Sequence, residues 1–291
     1  MIIPSYNRAD VIGRAVGSVL GQAGADIEVI VVDDGSSDET PRVLASFGDT
    51  RLRAVVQDNA GVCAARNAGV AASSAPFLVF LDSDDEAAPG WVDFYRTAAM
   101  DGLDFAACGV RTVAPGSPDT ILTAPSHGPE FGFLEARFLS GAFGLAKALF
   151  VEVGGFRAGL RYSEHTDLAL RLGGRMLDEP FTCRRTDEPL IIMYRGDREY
   201  NAEVRYDSAT TILREDVAHL ERSPHLHATY ASIAGVAASK LGRRREARKL
   251  LADAIRLQPL RWRNYLRWGR EWLPRQPNVT GPPVTDTRPG T

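Results

Sequence analysis

The chain has 291 residues, 44% apolar and 24% charged, with a formal net charge of -3, which suits one main globular domain plus an appendage. Residues 1–100 hold 7 Arg against 14 Asp or Glu, whereas 240–275 hold 12 Lys or Arg against 3 acids; the acidic front argues against a nucleic-acid partner. Cys63, Cys108 and Cys183 form neither pairs nor a C-x-x-C, which argues against a disulfide framework or zinc knuckle and fits a reducing cytoplasm, and no apolar run or N-terminal leader pattern points to a membrane span or secretion.

In chain order, β-branched runs predict strands over residues 1–4, 27–33, 52–56 and 77–81. Between the first two, Val11/Ile12, Ala15/Val16 and Val19/Leu20 recur at helical spacing, with Asp10 expected in the first turn, where the helix dipole favours an anion. The cluster Ser36-Ser37-Asp38-Glu39 predicts the start of a second helix, with Pro41 tolerated early. A third helix is expected from Gly61 through Arg66 to Ala71, and the following strand is apolar on both faces, as in a covered sheet centre. The first strand is short, and relatives with more residues upstream would make the start a truncated one.

This succession predicts a largely parallel sheet with helices on both faces, whose ligands gather beyond the carboxyl ends of the strands. A strand over 105–113, a Pro/Gly/Ser-rich loop over 114–129, a mixed region over 130–195 and a late strand over 189–194 follow. From Tyr206 onward the pattern is helical, and Gly235, Ala247, Ala254 and Pro259 match one tetratricopeptide-like helical pair. Residues 276–291 read as a disordered tail. The expected division is therefore a sheet domain over 1–200, with halves 1–113 and 114–200, then a helical extension over 201–275.

Three strands end in Pro4-Ser5-Tyr6-Asn7, Asp33-Asp34-Gly35 and Asp82-Ser83-Asp84-Asp85. Several carboxylates in one crevice repel unless a cation is present, and hard oxygen ligands suit magnesium or manganese together with a diphosphate substrate. Taken singly, the D-x-D is equally an acidic surface turn, and Asp33-Asp34-Gly35 equally a turn followed by a helix cap.

The conjunction of IIPSYN, VVDDGSSDET, NAGVCAARNAG and FLVFLDSDD in this order resembles family 2 glycosyltransferases of the GT-A fold, over about residues 1–195. The resemblance implies an inverting, metal-dependent transferase with an α/β GT-A-type nucleotide-binding sheet and a C-terminal helical appendage. It implies a UDP- or dTDP-sugar as donor and a glycan, lipid-linked or cell-surface polysaccharide precursor as acceptor. It maps the nucleotide onto Pro4, Tyr6 and Asp34, donor contacts onto Arg66, Asn67, Asp82 and Ser83, and the manganese or magnesium onto Asp84 and Asp85, with the division between Asp82 and Asp84 of the ribose and the metal left open. Gly154-Gly155-Phe156, Ser163-Glu164-His165-Thr166-Asp167 and Arg171-Leu172 also match the family's later segments. Where relatives have the general-base aspartate this chain has His165; an imidazole is competent as a base, and Glu164 and Asp167 are its rivals.

Two other functions stay open at this point. A haloacid-dehalogenase-like phosphatase would use Asp82 as nucleophile, although that acid should follow the first strand and the Thr or Val expected after the second acid is missing. A sugar-nucleotide-binding protein without turnover is motivated by His165. A dinucleotide oxidoreductase is discarded, since no G-x-G-x-x-G follows the first strand. The basic stretch 240–275 reads as a partner face or a peripheral contact with an anionic membrane, anchored by Trp262, Trp268 and Trp272, or else as a helical cap whose aromatics pack inward.

Overall fold

The computed structural model describes residues 1–22, 24, 26–122, 124, 139–195 and 201–272. Strands β1 (Ile2–Ser5), β2 (Val29–Asp33) and β3 (Leu52–Val56) pair in parallel in the order β1-β2-β3. Strand β4 (Phe77–Val79) lies on the other side of β1, joined by a parallel bridge between Ile2 and Phe80 and by Leu81 N–H donating to Ile2 O at 3.0 Å. Beyond it the sheet changes character. Strands β5 (Glu86–Ala87), β6 (Phe105–Val113), β7 (Thr120–Leu122), β8 (Phe143–Ala146) and β9 (Cys183–Tyr194) complete it in the order β4-β8-β6-β9-β5, with β8 antiparallel to both neighbours and β6 parallel to β9.

Alternation along the strands builds a core on each face. Ile3, Val31, Val79 and Leu81 pack under helices α1 (Ile12–Leu20) and α4 (Trp91–Met100). Ile2, Leu78 and Phe80 face the opposite way, with Val70 of α3 (Val62–Ala72) and with Leu168 and Leu172. Gly69 is required here: a Cβ on it would stand 2.5 Å from Ile2 Cγ2, so α3 can lie on β1 only without a side chain at that point. The short helix α2 (Thr40–Ala45) adds Leu44 to the first core, and α5 (Lys147–Glu152) and α6 (Glu164–Asp178) belong to the second.

Several expected boundaries move, each for a local reason. Helix α1 has no acid in its first turn, because Asp10 precedes the cap residue Val11. Helix α2 begins only at Thr40, because Ser36 and Asp38 accept hydrogen bonds from the loop after β1 and are not free to start a helix. The Pro/Gly/Ser-rich loop contains β7, which pairs with β6, and the late strand extends back to Cys183 along β6.

The C-terminal helices are α7 (Ala202–Glu215), α8 (Val217–Glu221), α9 (Pro224–Lys240), α10 (Arg244–Leu257) and α11 (Trp262–Arg270). Helices α9 and α10 meet along buried Ala231, Ala234, Ala238, Ala247, Leu251 and Ala254, and a Cβ on Gly235 would lie 2.7 Å from Leu251 Cγ. The small residues therefore set a close helix pair, as their spacing predicts. Arg157 ties this unit to the sheet domain, donating to Asp167 at 2.8 Å and to Asp216 at 2.9 Å. Among the described residues no helix is long and apolar enough to cross a membrane. The expected tail at 276–291 lies outside the described residues.

Candidate active site

The loops after β1 and β2 are built as one piece. Asn7 adopts a left-handed conformation (φ 50°), which presents its backbone N–H to Ser36 Oγ at 2.9 Å and its side-chain oxygen to Ser37 N–H at 2.8 Å. Arg8 N–H donates to Thr40 Oγ1 and Ala9 N–H to Asp38. Inside this seam Asp33 accepts from Ser36 N–H at 2.9 Å. Asp34 is buried, and its two oxygens accept from Gln57, Ala60 N–H and Gly61 N–H at 2.7, 2.9 and 2.8 Å. That carboxylate therefore fixes the loop leading into α3, while Gly35 (φ +79°) sits where a Cβ would press on Asn59 N at 3.0 Å.

Over this platform opens a cavity of about 370 Å³ lined by Pro4, Ser5, Tyr6, Arg8, Asp34, Asn59, Gly61, Val62, Ala65, Arg66, Asp82, Ser83, Asp84, Arg161 and Glu164. The Tyr6 ring is 48% exposed, free to take a planar group on its face. From the turn after β4, ligand oxygens of Asp82, Asp84 and Asp85 come within 4.8 Å of one another. Asp85 is buried and accepts from Tyr194 N–H at 3.1 Å, and Arg14 donates to Asp84 O at 2.6 Å, which pins the turn from both sides. Three hard oxygen donors this close match the donor set of magnesium or manganese.

Arg66 is 1% exposed and bridges two acids, Asp82 at 2.7 Å and Glu164 at 3.1 Å, with its guanidinium over the Phe156 ring at 5.0 Å. Burial raises the Asp82 carboxyl, but the Arg66 charge and hydrogen bonds outweigh it and leave the group below its ordinary value. Glu164 follows the same pattern: burial acts upward, and neighbouring positive charge, of which Arg66 is the permanent source, brings it below the ordinary range. The fork of Arg66 is thus engaged by two protein carboxylates at the cavity wall.

His165 stands directly beside Glu164, its Nδ1 3.7 Å from that carboxylate, but its ring is turned into the aromatic core. Its ring sits edge-on to Phe143 and Phe156 at 5.9 and 5.5 Å, 13% exposed, and Nε2 is buried with no hydrogen-bond partner among the described residues. Burial, helped by the Arg66 charge, pushes its pKa down from 6.5 to about 4. It does not line the cavity, whereas Glu164 does. Asp167 is fully buried between Arg157 and Arg171. Asn67 also stands outside the cavity: its amide donates to Phe156 O at 2.7 Å and accepts from Phe156 N–H at 3.0 Å, clamping the Gly154-Gly155-Phe156 turn.

The fold therefore brings Pro4, Tyr6, Asp34, Arg66, Asp82, Ser83, Asp84 and Glu164 to one cavity, with Asp85 beneath the Asp82–Asp84 turn, and leaves His165, Asp167 and Asn67 off its lining. Arg8 and Arg161 line it too, and among the described residues neither guanidinium is in an ion pair. Sequence reasoning passed over both. Their signal was adjacency, since Arg8 follows the Pro4-Ser5-Tyr6-Asn7 turn and Arg161 precedes the Ser163–Asp167 segment.

The profile described as "Glycosyl transferase family 2" matches residues 1–165. Among curated proteins the chain is similar to the succinoglycan biosynthesis protein ExoO of Rhizobium meliloti, 45% identical over 89 residues, 30% of this chain and 26% of the relative. It is also similar to ExoU of the same organism, 35% identical over 188 residues, 60% of this chain and 53% of the relative. The chain thus matches about half or less of the length of these relatives. Among solved structures, S. aureus TarS 1–349 in complex with UDP-GlcNAc superposes with a TM-score of 0.66 at 18% identity, over 93% of this chain and 88% of that one. That likeness concerns the fold.

Proposed function

Because the chain belongs to glycosyl transferase family 2, we propose that it catalyses inverting transfer of a sugar from a UDP- or dTDP-sugar to a hydroxyl of a glycan, lipid-linked or cell-surface polysaccharide precursor. The observation that carries this reading is that Tyr6, Asp34, Asp84 and Glu164, from four separate chain segments, line one cavity. The base stacks on Tyr6 near Pro4 and Asp34, the ribose sits toward Asp82 and Ser83, and Arg8 and Arg161 face the diphosphate. UDP as the nucleotide is supported by the UDP-GlcNAc named with the TarS structure. The three free cysteines favour a cytoplasmic reaction.

Asp84 and Asp85, with Asp82 in the same cluster, are the residues that would hold manganese or magnesium. When bound, such an ion supplies positive charge to the departing nucleotide diphosphate. Glu164 is assigned the base role in preference to His165, on the support of its position at the cavity and of the Arg66 contact that keeps it ionised. It takes the proton from the acceptor hydroxyl as that oxygen bonds to the anomeric carbon. The bond to the diphosphate breaks on the opposite face with its electron pair leaving on oxygen, so the configuration inverts. Arg66 orients Glu164 and Asp82; His165 and Asp167 act through packing and anchoring of α6.

Thermal-shift titration of the purified protein with UDP- and dTDP-sugars, with and without Mn²⁺, tests the reading. A metal-dependent shift with at least one donor, lost in Asp84→Ala, is the expected result; no binding and no slow donor hydrolysis with any of them refutes it. Binding without any turnover would favour the second reading, a sugar-nucleotide-binding protein, which the burial of His165 motivates.

A further inference from the structure

Helix α11 is packed inside out. Its uncharged polar residue and the acid past its end point into the protein: Asn264 is fully buried and meets Ser232 Oγ at 3.1 Å, the exposed Arg267 reaches back to the same hydroxyl at 2.6 Å, and the buried Glu271, just past the helix end, turns inward to Ser239. Its apolar residues other than the half-buried Trp268 point out. Trp262 is 63% exposed, Tyr265 and Leu266 share that face at spacings of three and four, Leu260 just before the helix is 96% exposed, and Trp272 continues the stripe past its end. Buried polar groups and a contiguous exposed apolar patch are the two departures from ordinary surface composition that call for an external partner.

The charge around the stripe selects the partner. Between Trp262 and Arg270 the helix has no acid, while Arg263 and Arg270 stand exposed along one flank and Arg261 at the N-terminal end. On the other flank Arg248 of α10 lies over the Trp272 ring at 4.4 Å. Aromatic and leucine side chains rimmed by arginine match the boundary layer of an anionic bilayer, where the rings and leucines enter the acyl edge and the guanidiniums meet lipid phosphates. We propose that α11, with Leu260 and Trp272 at its two ends, is a peripheral docking helix for an anionic membrane surface, holding the chain at the lipid face independently of what the cavity binds.

The full chain is tested by sedimentation with phosphatidylglycerol/phosphatidylcholine vesicles and with phosphatidylcholine alone, at low and high salt. The expected result is binding to the anionic vesicles that weakens with salt, and little binding to the neutral ones. Trp262→Ser with Leu266→Ser should lower partitioning by about tenfold or more, and Arg263→Ser with Arg270→Ser by about fivefold per arginine. All these side chains are exposed, so donor-induced thermal shifts should be unchanged in both variants. A second readout needs no variant: Trp91 is fully buried in the sheet domain and the other three of the four tryptophans are Trp262, Trp268 and Trp272, so anionic vesicles should blue-shift the emission and brominated lipid should quench it. Equal binding to neutral vesicles, variants that sediment like the parent, or unquenched emission would overturn the proposal. So would light scattering that shows a dimer dissolved by the Trp262/Leu266 variant without vesicle binding, which would give the face to a second copy.

Discussion

Replacing Arg66 with methionine keeps much of the side chain's length and removes the cation shared by Asp82 and Glu164. Arg66 is 1% exposed and makes ion pairs at 2.7 and 3.1 Å, so its loss leaves two carboxylates facing each other with no compensating charge from this element. Breaking a buried pair from one side costs about 3–5 kcal/mol. Asp82 and Glu164 keep 30% and 15% of their side-chain exposure, so water recovers part of this and about 2–4 kcal/mol is expected. At roughly 2–4 °C per kcal/mol for a large domain, the melting temperature at neutral pH should fall by about 4–16 °C. The loss should also depend on pH. In the parent both carboxyls lie below their ordinary values, so their stabilisation is complete above about pH 4.5 and fades as pH falls through the folded values. In Arg66→Met the same carboxyls, desolvated and unpaired, rise above ordinary values, and the variant recovers stability as they protonate. The gap between parent and variant is therefore widest near pH 7–8 and narrows toward pH 5. Thermal unfolding of both proteins across that range measures it; a gap that is constant with pH, or one below about 1 kcal/mol, would show that Arg66 serves packing alone.

Glu164→Gln should retain donor binding and lose turnover by about a hundredfold or more, read as donor hydrolysis or transfer; normal turnover would remove Glu164 from the base role. His165, held at about pKa 4 by burial, binds its proton more weakly in the folded than in the unfolded state. Stability should then fall as pH drops from about 6.5 to 4, by up to about 3 kcal/mol, and His165→Leu should flatten that part of the denaturation profile. If the parent's rate profile bends near pH 6.5, the imidazole titrates in contact with substrate and its burial is not retained during turnover. Gly155→Ala forces a side chain onto φ +65° with Asn67 Oδ1 at 3.0 Å and the Phe150 ring beside it, which should cost about 1–3 kcal/mol by urea denaturation; a neutral result would mean that the Gly154-Gly155-Phe156 turn relaxes freely.

The centre of the parallel sheet was legible because β1 and β2 are buried on both faces and read as apolar runs, as Val29–Asp33 does, while the exposed edge strand β3 showed through its β-branched and apolar residues. The donor side of the cavity was legible because Asp34, Asp82 and Asp84 stand in the turns after strands, at the end of the sheet where parallel strands expose their ligands, whereas Glu164 opens a helix. What failed to show was side-chain direction. His165 and Glu164 are neighbours in sequence, yet only Glu164 reaches the cavity, since adjacent helical positions point about a quarter-turn or more apart. Asn67 and Arg66 were equal candidates for donor contact; their separate fates depend on the Phe156 turn and on Glu164, both about 90 or more residues away in sequence. Ser36 and Asp38 read as a helix cap because capping and cross-loop bonding use the same side-chain oxygens, and here the loop after β1 has them.

That cross-loop bonding makes the stretches 5–9 and 33–40 a single heritable unit. Under the proposed function, a nucleotide arriving at Tyr6 would meet a wall whose shape is already set by Asn7 and Ser36, so that little of its affinity would be consumed in ordering the chain. Transplanting a different first loop to change nucleotide preference would orphan the second, and donor specificity in this scaffold should be exchangeable only when both segments travel together.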